Sequence, residues 1–165
     1  MLSDLHSEIV MYLTGKLPGV TVAAFTPDIR QQRHLALPAC LVELATIEPF
    51  SDFGNNRDKS RVYLNFEARL LVDPVLADAW VDLKEFAAVA WWALREWTPQ
   101  TAGIGPINLK RAGEDMFKPG LDGFMVWLIE WEQEAYLDFA TEQVEPVITK
   151  ITTTDNLGNY TEVTG

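Results

Sequence analysis

Apolar residues recur every fourth position at Leu5, Ile9, Leu13 and Leu17. That spacing predicts an amphipathic helix over residues 2–17, with all four on one face. Ser3 is the expected N-cap, Asp4 suits the positive end of the dipole, and Pro18-Gly19 ends the helix. A short β-branched strand (VTVAAF, 20–25) follows, then a polar loop (TPDIRQQRHL) and a second strand over 39–47 (ACLVELATI). Pro49 is expected to close that strand, since it cannot donate to a ladder. Residues 50–59 (FSDFGNNRDK) read as a long hydrophilic loop tipped by Gly54-Asn55-Asn56.

The cleanest alternation lies over 61–72. Val62, Leu64, Phe66, Ala68, Leu70 and Val72 interleave with Arg61, Tyr63, Asn65, Glu67 and Arg69. Such a strand buries one face and leaves two arginines on the other, which suits an antiparallel sheet. Asp73-Pro74 breaks it, and Leu76, Trp80, Leu83, Ala87, Ala90, Leu94 and Trp97 then mark a helix over 75–97. Trp91 and Trp92 cannot both face the sheet, so one is expected to meet the first helix or another chain. After a loop (98–106), a short strand over 107–111 and a turn-rich connection over 114–123 lead into residues 124–136, FMVWLIEWEQEAY.

This last stretch organises the reading. Met125, Trp127, Ile129 and Trp131 form one apolar row, while the other row runs from Phe124, Val126 and Leu128 into Glu130, Glu132 and Glu134. Alternate side chains point to opposite faces, so one face stays in the core and the other becomes a carboxylate ladder. Same-face carboxylates repel, which calls for water or a basic partner beside them. The arginine row of 61–72 is such a partner, within the sheet or on another subunit.

Beyond residue 138 the chain turns polar and Thr-rich. VITKITTT and NYTEV flank the turn Asp155-Asn156-Leu157-Gly158, which predicts a two-stranded ribbon. The element order gives an α+β domain over 1–138, a mostly antiparallel sheet with two helices packed on one face, and a C-terminal arm over 139–165.

Composition narrows the function classes. With 165 residues, 48% of them hydrophobic and six Trp, the chain can bury a real core. The single Cys40 sits in an apolar run and reads as a buried thiol of a protein made in a reducing cytoplasm. No apolar run approaches the roughly 18 residues of a membrane span, and acids stand where a signal peptide needs bases. The net charge of −11 is uneven, with 11 acids and two bases after residue 111 against 13 acids and 11 bases before it. That sign repels phosphates, so sequence-reading of nucleic acid is disfavoured, whereas DNA passing by without sticking is not.

Catalytic constellations do not emerge. His6 and His34 lack Cys or His partners at ligand spacing. Gly103-Ile104-Gly105-Pro106 precedes a strand rather than a helix, unlike a phosphate cradle. Three glutamates on one strand face do not wrap a cation. The reading is a non-enzyme without catalytic, cofactor or metal residues.

The ordered features resemble a family of small bacteriophage proteins, the tail terminator (tail completion) proteins of long-tailed and Mu-like phages. The resemblance rests on an N-terminal helix ending in Leu17-Pro18-Gly19-Val20, a strand at 38–44, the alternating strand at 62–72, a long helix closing on Trp97-Thr98-Pro99, and a last strand reaching Trp131-Glu132-Gln133-Glu134. It implies a homo-oligomeric ring, usually a hexamer, that caps the tail tube, stops its polymerisation and offers the surface for head–tail joining. The implied setting is the virion neck, built in the host cytoplasm, with tail tube protein and connector proteins as partners and DNA only passing through the lumen. On that reading Arg61, Arg69, Glu130, Glu132 and Glu134 serve subunit contacts. Asp52, Phe53, Asn55, Asn56 and Arg57 in the loop, with Ile148, Ile151 and Tyr160 in the arm, serve the neighbouring ring. Two other readings are a head-completion or stopper protein of the neck, and a small ligand-binding or enzymatic domain with a cleft near Trp91, Trp92 and the glutamates.

Overall fold

The computed structural model describes residues 1–26, 35–50, 59–115, 121, 123–138, 151–154 and 160–163. Helix α1 (Leu2–Lys16) buries Leu5, Ile9 and Leu13 completely, so the four-residue repeat does face the core. Ser3 is not its cap. Met1 holds that position and no side chain caps the helix, because Ser3 already lies in the first turn. Lys16 gives way to a turn in which Val20 N donates to Leu17 O and Gly19 takes φ of 82°, a left-handed conformation that glycine adopts without strain.

Strand β1 (Thr21–Ala24) pairs parallel to β2 (Ala39–Pro49), and the remaining pairings are antiparallel. β2 runs on to Pro49 rather than ending before it. Phe50 N donates to Arg61 O, so the Phe50 amide faces the strand of Arg61 and the Pro49 nitrogen points away, where a missing N–H costs no ladder bond. β3 (Lys59–Val72) is the middle strand of the order β1-β2-β3-β5-β4, in which β4 is Asn108–Glu114 and β5 is Met125–Asp138. Helix α2 (Ala79–Glu96) begins four residues later than the periodicity predicts. Val75 N donates to Asp73 Oδ1 and Leu76 N to Asp73 O, a turn that leaves Val75 and Leu76 exposed. Strands β4 (Asn108–Glu114) and β5 (Met125–Asp138) form the expected antiparallel pair, which Asp115 N extends by donating to Val126 O.

The fold is therefore α+β, a five-stranded, mostly antiparallel sheet with two helices. The main core lies between helices and sheet, where Val62, Leu64, Phe66, Ala68, Leu70 and Val72 of β3 meet Ile129, Trp131, Ala135 and Leu137 of β5. Phe66 and Trp131 stack with centroids 5.5 Å apart. The opposite face is not wholly polar. Leu41, Leu71, Leu121 and Val126 form a second buried cluster there, joined by Phe25, Leu35, Leu37 and Phe124. Separately, β6 (Ile151–Thr154) and β7 (Tyr160–Val163) pair antiparallel as a two-stranded ribbon. Among the described residues no helix is long and apolar enough to cross a membrane.

Candidate functional site: the charged face of the sheet

On the face away from the helices, strand register stacks the charged positions into rows. Glu43, Glu67, Glu130 and Arg111 align across β2, β3, β5 and β4. The next row holds Thr46, Asn65, Glu132 and Asn108, and the one after it Glu48, Tyr63 and Glu134. Three directly opposed glutamates would repel one another unless cations stood among them. Each of the three is matched.

Arg69 supplies most of that compensation. It is only 4% exposed, a position an arginine holds only when its donors are satisfied. Its Nη1 donates to Glu43 at 2.9 Å, its Nε to Asp115 at 3.0 Å, and its Nη2 to Glu67. Phe25 lies beside the guanidinium, its ring centroid 5.8 Å away. The hydrophobic cluster ends here, so the arginine sits where apolar face passes into charged face.

The acidic ladder of β5 is paired in the same manner. Glu130 contacts Arg111 at 3.2 Å and Glu132 contacts Lys110 at 3.0 Å, both bases coming from β4. Asn108 Nδ2 also reaches Glu132 at 3.4 Å. Glu134 accepts from Arg61 at 2.5 Å across β3, and that bond raises the arginine further above its ordinary value. The Arg61 guanidinium lies 3.7 Å from the Phe50 ring centroid, and Phe50 in turn sits 4.8 Å from Tyr63. The half-buried arginine is thus held between a carboxylate and an aromatic ring, the latter a cation–π contact.

The five residues singled out for subunit contact thus lie on one face, and each meets opposite charge within its own chain. Arg61, Glu130, Glu132 and Glu134 remain partly exposed, whereas Arg69 is interior. Sequence reasoning missed Glu43, Glu67 and Asp115 as the partners of Arg69. The signal was there for Glu67, two residues away on the same strand face, but not for Asp115, which arrives from the β4–β5 connection. It also missed Gln133, fully buried, whose Nε2 donates to Gly105 O at 3.1 Å and whose Oε1 faces Trp131 Nε1 at 3.4 Å. Gly103 and Gly105 lie along the end of β5, Gly105 N donating to Glu134 O and Tyr136 N to Gly103 O. A Cβ at Gly105 would come within 3.3 Å of Glu134 O, so close approach explains that glycine.

The cleft imagined between the paired tryptophans and the glutamates does not form. Trp91 packs against the main core, while Trp92 is 59% exposed on the helix side of the molecule, opposite the glutamates. Trp92 instead borders an open groove of about 390 Å³ with Tyr12, Lys16, Val89 and Glu96. His6 Nε2 contacts Val42 O at 3.0 Å, tying α1 to β2. His34 lies outside the described residues, as do Asp52, Phe53, Asn55, Asn56, Arg57 and Ile148. Ile151 and Tyr160 begin β6 and β7. Among the described residues no cluster of His, Cys, Asp or Glu is arranged to hold a metal ion. Compared with known proteins, the chain matches no family model and none of the curated proteins.

Proposed function

We propose that this chain is a structural protein of a bacteriophage neck, assembling as a homo-oligomeric ring that caps the tail tube and joins it to the head. One observation supports this reading beyond the resemblance in sequence order. Strand register pairs Lys59 with Asp138 and Arg61 with Tyr136, so the loop over 51–58 and the arm beyond residue 138 leave the sheet side by side. Both segments singled out for contact with a neighbouring ring therefore begin at one end of the sheet, the end that holds Glu134 and the Phe50–Arg61–Tyr63 stack. Ring contacts draw on Arg61, Glu130, Glu132 and Glu134, and Arg69 holds the face together from inside.

Native mass spectrometry and electron micrographs of the purified protein test the reading. A closed ring, with six copies expected, supports it. A monomer at micromolar concentration overturns it.

A further inference from the structure

We propose that the outer edge of β1 accepts strand β6 of a second copy, continuing the five-stranded sheet from one subunit into the next. This inference rests on the ring reading and gives the arm a docking place. Thr21 N donates to Pro38 O at 2.9 Å and Phe25 N to Val42 O at 2.7 Å. Peptide groups alternate sides along a strand, so those of Thr21 and Ala23 face β2 while those of Val22 and Ala24 point outward. Among the described residues no strand pairs with that outer edge.

The other free edges of the sheet carry the devices that block strand addition. β4 has Lys110, Arg111 and a bulge between Leu109 and Arg111. β2, past its pairing with β1, has a bulge between Leu44 and Thr46 and an outward Pro49. β1 reads Thr-Val-Ala-Ala, without charge, proline or bulge.

The ribbon has the complementary need. A hairpin on its own is marginal in water, and among the described residues each of its strands pairs on one edge alone. β6 reads Ile-Thr-Thr-Thr and carries no charge, whereas β7 carries Glu162, which makes β6 the better addition. Its four residues match the four of β1.

Geometry favours another copy over the same chain. β1 aligns through β2 and β3 with the first residues of β5, around Val126 to Ile129, while the arm departs from Asp138 at the far end. Covering that offset and the intervening strands takes about 35 Å at ordinary strand spacings. The 12 residues from 139 to 150 reach about 45 Å only at full stretch. Folding back would hold those 12 residues at about three-quarters of their full reach, an ordering cost that a neighbour placed beside β1 does not impose.

Amide hydrogen exchange of the full chain, against a chain ending at Asp138, reads the edge directly. Val22 and Ala24 amides are expected to exchange at least about tenfold more slowly in the full chain. Ala24→Pro, which deletes an outward N–H and spares the bonds to β2, should shrink the oligomer to the size of the truncated chain. A ring in which those two amides exchange equally fast with and without the arm overturns strand addition and leaves the ring reading standing. Protection of the amides in a monomer overturns the second-copy donor and the ring together.

Discussion

Arg69 shows how one side chain can decide what a whole face does. It binds three carboxylates, Glu67 on its own strand, Glu43 on β2 and Asp115 just past β4, from a site almost closed to water. Removing it strands those carboxylates together, and breaking such a buried pair costs about 3–5 kcal/mol. Arg69→Met is expected to lower the urea midpoint accordingly, with Arg69→Lys recovering little because an ammonium's three donors leave one nitrogen and cannot span carboxylates met by three separate guanidinium nitrogens. Restoring full stability with Lys would show that charge alone matters there. Cys40 gives a second test at this scale. Burial pushes its thiol up from 9.0 to about 12, so the folded form holds its proton more tightly than the unfolded one. The stability this thiol contributes is intact below pH 9 and is lost as pH rises toward 12. Between pH 8 and 10.5 the parent should lose about 2 kcal/mol more than Cys40→Ala in urea denaturation. Parallel pH profiles would mean the thiol titrates normally.

At the scale of elements, β5 links both faces. Its odd positions from Ile129 to Leu137 are all buried, and Trp131 fills the space against Phe66. Trp131→Ala should destabilise by about 3–5 kcal/mol through the cavity it opens. Its even positions carry the ladder, and there the expected loss is much smaller. Glu132→Gln breaks the contact with Lys110, a pair exposed enough to be worth about 0.2–1 kcal/mol, so equilibrium unfolding should hardly move. A large loss would mean the glutamate also supports the fold. Period-two alternation made β3 and β5 readable in the sequence, because a strand between core and water must alternate. The start of α2 was not readable in that way. Leu76 fits the helical spacing of Leu83 and Ala87, yet Asp73 captures the Val75 and Leu76 amides into a turn first. The second apolar cluster was equally hidden, since it is assembled from Phe25, Leu35, Leu71 and Leu121, residues without a common period.

At the scale of the whole molecule, both apolar clusters, among the described residues, draw on nothing later than Leu137. A chain ending at Asp138 should therefore fold with a change of less than about 1 kcal/mol, measured by urea denaturation and near-ultraviolet dichroism of its tryptophans. Loss of folding would place residues 139–165 in the core. The uneven charge acts at this scale as well. Most of the excess acid lies beyond residue 111, yet Glu130, Glu132 and Glu134 are each matched by a base, so net charge alone overstates how repulsive the sheet face is.

The amino-acid order by itself determined the α+β class, the two helices, the alternating faces of β3 and β5, and the glutamate row. Each follows from local periodicity, which needs no knowledge of neighbours. Only the tertiary structure decided that β1 runs parallel to β2, that Asp115 closes the cage around Arg69, and that Trp92 and the glutamates stand on opposite sides of the sheet. Those outcomes depend on which distant segments pair and in what register, and a one-dimensional pattern does not encode that choice.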